Sequence, residues 1–515
     1  MTFRLAAVVL GLTPLFAAEL ALRAFDLGKP RYEGDPFVGF SAVHPLFELS
    51  ADGAEYRTAP ARLVFFSPEA FPSKKPPGEL RIFCLGGSTV YGEPFAKETA
   101  FPRWLELSLR EADSGKKWRV VNCGGISYAS YRLVPILEEI LENYQPDLIV
   151  IYTGHNEFLE DRAYGHLRGL APYLSRPMAW LEQTRLYNVL VDASRRLRGG
   201  TNHDGADRAD AADKAADRRP VLSDETDAML EYRGGLARYH RNEQWQRDVV
   251  QHYEYNLRRM VQLCRDAGVP LLLMNPVSNL RDCAPFKSEN DTRLSPTQLA
   301  RWRTLVGEAA DCRANDLRRA TELLEEACKI DSLHAATHYE LAKGYDALGR
   351  IDEARAAYMQ AKENDVCPLR TLEPMNRIVL EVSDETATPL LDVRRMFEDL
   401  SEHRLPGTFL LVDHIHPSIR GHQIIAEATV KLLEREGLAR PSEGWKARQD
   451  SRFREHLASL PDLYFSRGLE KLERLRRWTQ GGGDAQPPAS WSASPAETPT
   501  SEIRPKEPLK AADGN

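Results

Sequence analysis

Leu80-Arg81-Ile82-Phe83-Cys84-Leu85 leads directly into Gly86-Gly87-Ser88-Thr89-Val90-Tyr91-Gly92. An apolar run of strand length that stops at two glycines reads as a buried strand ending in a tight turn. It places Ser88 at the carboxyl edge of a sheet, on a turn that glycine's backbone freedom permits. Similar short runs recur at residues 119–123, 147–153, 269–274 and 389–393, and helical patterns with apolar residues three and four apart lie between them, as at 131–144 and 249–267. Strands alternating with helices predict βαβ units and so an α/β fold, a three-layer α/β/α sandwich around a parallel five-stranded sheet. Ligands of such sheets bind beyond the carboxyl ends of the strands, which makes the residues after each run the candidates for chemistry.

After the third run comes Gly154-His155-Asn156-Glu157, and near the end of the α/β body comes Asp413-His414-Ile415-His416-Pro417, followed by a helical pattern at 421–436. A serine nucleophile needs a base within hydrogen-bond reach, and the base needs an orienting carboxylate. An Asp three residues before a His supplies both from one turn. The nucleophile elbow of α/β-hydrolases requires glycine two residues after the serine; Val90 stands there and disfavours that fold. His414 lies one residue from Asp413 and points differently. A metal held by His414 and His416 needs a third ligand that no neighbouring cluster supplies, so neither metal nor cofactor is expected. His422 reads as structural. Asn279, in the loop 275–280 after the fourth run, and Arg370, beyond Asp365 and Pro368, are candidate substrate contacts. For Arg370 an anionic or sugar group is one partner and a structural ion pair with Asp365 the other.

Taken together these blocks resemble the SGNH (GDSL-type) hydrolase superfamily, whose four blocks contribute a serine, a glycine, an asparagine and a D-x-x-H pair. The resemblance covers roughly residues 81–433. It implies Ser88 as nucleophile, His416 as general base, Asp413 as its orienting partner, and an oxyanion hole made by the N–H groups of Ser88 and Ser127 with the side-chain amide of Asn156. The second block, Asn122-Cys123-Gly124-Gly125-Ile126-Ser127, departs from the family by putting Ser127 at the oxyanion glycine; Gly124 or Gly125 would donate in a shifted alignment. Gly87 replaces the family's Asp before the serine, and Glu157 its Asp after the asparagine. The implied activity is cleavage of a carboxylic or acetyl ester through an acyl-serine. An O-acyltransferase or deacetylase acting on a polysaccharide, and a non-catalytic adaptor, remain as alternatives.

The chain of 515 residues has room for two to four folding units. Lys plus Arg is 68 against Asp plus Glu 75, with no basic block long enough to grip a phosphate backbone, so nucleic acid is not an expected partner. Seven scattered cysteines without a C-x-x-C pair predict buried thiols in place of a disulfide framework or zinc finger. Residues 5–18 are uncharged after Arg4, and the apolar character continues past Glu19 to Phe25. A helix over 5–25 is about 31 Å long, enough to cross a hydrocarbon core. The segment reads as an uncleaved signal anchor, with a cleaved signal peptide as the alternative, and either exports the rest of the chain.

Ala320, Leu324, Ala327 and Asp331 precede Ala354, Tyr358, Ala361 and Asp365 by 34 residues, the period of a tetratricopeptide repeat (TPR). About one and a half repeats are visible, too few to stand alone, so this helical hairpin must pack on the α/β body, as a buttress or as a groove for a protein partner. The expected order is a signal anchor or signal peptide at 1–28, an extension at 29–79, the hydrolase-like body at 80–198, 221–294 and 369–440, and a loose loop at 199–220. A TPR-like insertion follows at 295–368, a helical segment at 441–479 and a disordered tail at 480–515.

Overall fold

The computed structural model describes residues 45–160 and 235–479, with short pieces at 13–14, 18–23, 39–40, 185–186, 189, 221–222 and 228–231. The loop expected at 199–220, the tail at 480–515 and most of the apolar segment 5–25 lie outside the described residues. Among the described residues no helix is long and apolar enough to cross a membrane. The chain divides into two compact units, residues 1–43 with 162–225, and residues 44–161 with 226–515. In the first, Gly39–Phe40 and Val221–Leu222 pair in parallel. All the candidate site residues belong to the second.

The second unit opens with a small antiparallel sheet, β1 (Phe47–Leu49), β2 (Glu55–Thr58) and β3 (Ala70–Pro72). Phe47 and Phe71 pack edge-on against each other and against Tyr144, which fixes this extension to the body. The main sheet has five parallel strands: β4 (Glu79–Gly86), β5 (Lys117–Gly124), β6 (Leu148–Tyr152), β7 (Leu271–Met274) and β8 (Leu390–Leu391). Their spatial order is β8-β7-β6-β4-β5. In order of appearance that is 2-1-3-4-5, a doubly wound arrangement whose switch point lies between β4 and β6. Each expected strand is present, shifted by at most two residues at an end.

Helices cover both faces. The four-residue α1 (Ser88–Tyr91) follows β4, and α2 (Phe101–Ala112), α3 (Ser130–Asn143) and α4 (Glu243–Asp266) follow in turn. Period-2 alternation along β4 divides the core, with Ile82 and Cys84 facing the Trp104 side of α2 and Phe83 facing Tyr144 at the end of α3.

Between β7 and β8 the chain inserts α5 (Pro296–Cys312), α6 (Leu317–Ile330), α7 (Ala335–Ala347) and α8 (Ile351–Glu363). Trp302, Leu305, Leu324, Leu341, Tyr345 and Tyr358 share one core across these helices. The insertion therefore holds two helix pairs, not one hairpin and a half. α6 and α8 begin 34 residues apart, from Leu317 to Ile351, but α5 and α7 begin 39 apart, from Pro296 to Ala335, because α5 is longer; that offset hides the first pair from the period. After the insertion come α9 (Glu373–Glu385), α10 (Val393–Leu400), α11 (Ile419–Arg435), α12 (Trp445–Ser459) and α13 (Asp462–Thr479).

Candidate active site

The turn that carries Ser88 is built by close backbone approach. A Cβ at Gly86 would stand 2.1 Å from the Tyr152 carbonyl oxygen, and one at Gly124 2.1 Å from the Tyr91 nitrogen, so only glycine lets α1 lie directly on the ends of β5 and β6. Asn122 fastens it there. Its amide donates to the Val90 carbonyl at 2.8 Å, and its side-chain oxygen accepts the Gly124 N–H at 2.9 Å. Ser88 is the first residue of α1 and is buried, with Gly87 as N-cap.

His416 comes from the far end of the sequence. Val412 N–H donates to the His416 carbonyl, and Leu411 bridges Pro417, which closes residues 412–416 into a loop. Within it Asp413 Oδ1 accepts the backbone N–H groups of Ile415 at 2.9 Å and His416 at 2.8 Å. The other carboxylate oxygen lies 2.6 Å from His416 Nδ1, and His416 Nε2 lies 2.7 Å from Ser88 Oγ. The D-x-x-H spacing thus gives one turn in which the carboxylate fixes both the backbone and the ring. Burial works against the ionised form of Asp413, but the attraction and hydrogen bonds of His416 outweigh it and hold the carboxyl well below the usual range. His414 faces the edge of Phe286, and burial pushes its pKa down to about 4. Among the described residues Asp413, His414 and His416 could gather about one ion, yet both His416 nitrogens already have partners, on Asp413 and on Ser88.

The second block lies beside this pair. Ser127 has φ +63°, the left-handed conformation that favours glycine, which accounts for the family's preference at that position. Among the described residues the backbone N–H groups of Ser88 and Ser127 have no protein acceptor, whereas Gly124 donates to Asn122 and Gly125 to the Gly86 carbonyl at 2.9 Å. The shifted alignment has no donor to offer, and Gly124 and Gly125 are structural.

Asn156 donates one amide hydrogen to the Tyr128 carbonyl at 3.0 Å. A Cβ on residue 87 would come within 2.4 Å of this amide nitrogen, so Gly87 is what lets Asn156 rest against the neighbour of Ser88. The carboxylate of Glu157 accepts the N–H of Ser130 at 2.7 Å and its hydroxyl at 2.9 Å, capping α3. Both departures from the family pattern are absorbed locally.

The structure places Asn279 and Arg370 against main chain, and it sets Arg370 beside Asp365, the ion-pair partner expected as its alternative. Asn279 donates from its side chain to the Asp413 carbonyl at 3.0 Å and accepts the Asp282 N–H at 2.9 Å. Arg370 donates to the carbonyls of Asn279 at 3.0 Å and Cys283 at 2.9 Å, with Asp365 alongside at 3.5 Å. Both are buried and committed to main chain. Two contributors have no expected role in the sequence reading. His155 meets Thr371 across the site's base, with Nδ1 2.8 Å from the Thr371 hydroxyl, and Arg476 of α13 donates to the Val412 carbonyl at 3.1 Å. The Gly154-His155-Asn156-Glu157 block marked His155, but only the three-dimensional return of the chain at 371 assigns it a partner.

No protein-family model matches the chain. An acetylxylan esterase of Geobacillus stearothermophilus is 31% identical over 77 residues, which are 15% of this chain and 34% of that protein. The match thus spans about a third of the curated relative. Among solved structures, an acetylxylan esterase from the same organism superposes with a TM-score of 0.30 at 12% identity, covering 69% of this chain and 94% of that one. A GDSL-like lipase from Parabacteroides merdae gives 0.31 at 13% identity, covering 71% of this chain and all of that one. Superpositions of that looseness do not bear on activity. The fold stands on the strand order, and the site on the hydrogen-bond chain from Ser88 to Asp413.

Proposed function

We propose that this chain is a serine esterase of SGNH type, and that the continuous Ser88–His416–Asp413 hydrogen-bond chain carries its chemistry. His416 takes the hydroxyl proton as Ser88 Oγ attacks an ester carbonyl; Asp413 holds the ring in the required orientation and stabilises the imidazolium. The tetrahedral oxyanion accepts from the N–H groups of Ser88 and Ser127 and from the second amide hydrogen of Asn156. A preorganised donor of this kind lowers the barrier by about 3 kcal/mol. The protonated His416 then gives its proton to the leaving alcohol, and water, deprotonated by the same ring, releases the acid from the acyl-serine.

The acyl group is small, an acetyl or another carboxylic ester, and the alcohol is a carbohydrate; the 77-residue match to an acetylxylan esterase supports this choice. Water is the acceptor. The test is turnover of an activated acetyl ester by wild type and Ser88→Ala, with oligosaccharide added across a range of concentrations. Free acid should dominate throughout and disappear with Ser88. A saturable shift to acetylated sugar would make the enzyme a transferase with the same three residues. Turnover unchanged in Ser88→Ala would remove Ser88 as the nucleophile, and no turnover in the wild type would leave the adaptor.

In this reading residues 5–25 anchor the protein, with the hydrolase unit outside the cytoplasm, and the TPR-like insertion is a buttress. Fractionation with N-terminal sequencing checks the anchor. A soluble product that begins at Glu19 or beyond would show that the segment is removed.

A further inference from the structure

The third block is held in an unusual way. Gly154 has φ +133°, and a Cβ there would sit 3.3 Å from both Thr371 Oγ1 and the Tyr253 hydroxyl, which itself donates to the Thr153 carbonyl at 3.2 Å. The next residue, His155, is buried, and its Nδ1 accepts the Thr371 backbone N–H at 3.3 Å and meets the Thr371 hydroxyl at 2.8 Å. Burial keeps this ring neutral, pushing its pKa well below the ordinary value. The residue after that is Asn156. Thr371 is fully buried and lies on the segment that leaves α8 and returns to the sheet; its carbonyl accepts from Lys362 Nζ of α8 at 2.8 Å.

We propose that Thr371 and His155 form a positioning pair that sets Asn156 in the oxyanion hole, so that the helical insertion, through Lys362 and Thr371, is part of the geometry of the site. This deepens the esterase reading and rests on it. A ring locked at Nδ1 leaves the backbone at 155 one orientation, and Asn156 Cα follows from it. A preorganised donor displaced by a fraction of an ångström loses most of its effect in the transition state and little in ground-state binding. The signature is therefore a fall in kcat with KM unchanged. A loss that acts through Asn156 also disappears when Asn156 is already gone.

The experiment is a double-mutant cycle on an activated acetyl ester. Thr371→Val keeps the shape and removes the hydroxyl; it should lower kcat by about tenfold with KM within about twofold, and Thr371→Ser should restore kcat to within about threefold. In an Asn156→Ala background Thr371→Val should cost nothing further. If Thr371→Val does not fold, the same cycle is run with His155→Gln, which moves the acceptor away from the δ position, and with His155→Asn, which keeps it there and should retain kcat. Wild-type kcat in Thr371→Val or His155→Gln, or a loss that multiplies with that of Asn156→Ala, would overturn the pair's role while Ser88→Ala remains inactive. Unchanged turnover in Ser88→Ala would overturn the esterase reading and the pair's role with it.

Discussion

The side-chain amide of Asn279 donates to the backbone carbonyl of Asp413 at 3.0 Å, joining the loop after β7 to the turn that orients His416. The contact recurs on the main chain, where Asn279 N–H donates to the His414 carbonyl at 2.9 Å. Asn279→Ala leaves the Asp413 carbonyl and the Asp282 N–H without their partner, a cost of about 1–3 kcal/mol for each group that stays buried. We expect a lower unfolding midpoint and about a tenfold loss of kcat at unchanged KM. An increase in KM alone would return Asn279 to the substrate site.

Ser127 and Asn156 should respond in opposite ways. A non-glycine residue in the left-handed region costs about 1 kcal/mol, so Ser127→Gly should raise thermal stability and leave turnover within about twofold, since the backbone donor survives. Asn156→Ala deletes a side-chain donor and should lower kcat by about a hundredfold. Comparable large losses in both would mean that the Ser127 hydroxyl itself acts.

Acid should destabilise the fold through its buried histidines. Burial pushes the pKa of His414 and His334 down to about 4 and that of His422 to about 3. Between the ordinary histidine value of about 6.5 and these folded values, the unfolded chain takes up protons that the folded chain refuses. Stability is then full above that window and falls as pH drops through it, by about 1.4 kcal/mol per pH unit for each histidine. His422 Nδ1 accepts the Phe101 N–H at 3.2 Å, and His422→Asn keeps an acceptor there that does not titrate. Urea unfolding from pH 7 to 4.5 should show a shallower fall in this variant; an identical slope would mean that His422 is protonated in the folded state.

Asp331 and Asp365 test the repeat. They stand 34 residues apart, after α6 and α8, and both hold the segment that leads into the insertion: Asp331 accepts from Asn290 at 2.8 Å, Asp365 from the N–H groups of Phe286 at 2.8 Å and Lys287 at 3.0 Å. Asp365 is also beside Arg370, which supports Asn279, so Asp365→Ala should lower both stability and kcat, whereas Asp331→Ala should lower stability alone. Equal kcat in the two variants would contradict this path to the site.

What could be read from the sequence, and what could not, divides by range. The five strands were legible because buried parallel strands are nearly continuous apolar runs, and Ser88, Asn156, Asp413 and His416 because they follow strand ends or share one turn. α4 starts at Glu243, six residues before the apolar pattern at 249, since its first turns are exposed and held by the Asn242 cap. α5 escaped the 34-residue period because its added length moves Trp302 and Leu305 out of register with α7. The main-chain partners of Asn279 and Arg370 were not legible for a related reason. A polar side chain after a strand faces either the cleft or its own main chain, and the partners that decide, Asp413 and the carbonyls of 279 and 283, are set by chain returning from 87 to 134 positions away.

The central claim is that Ser88 is a nucleophile activated by His416, and the most direct measurement is the site of attachment of a fluorophosphonate probe, read by peptide mass spectrometry on the full chain. The account predicts one adduct, on the peptide that carries Ser88, lost in Ser88→Ala and slowed by at least about a hundredfold in His416→Ala. An adduct on another residue, or equal labelling of wild type and Ser88→Ala, would contradict it.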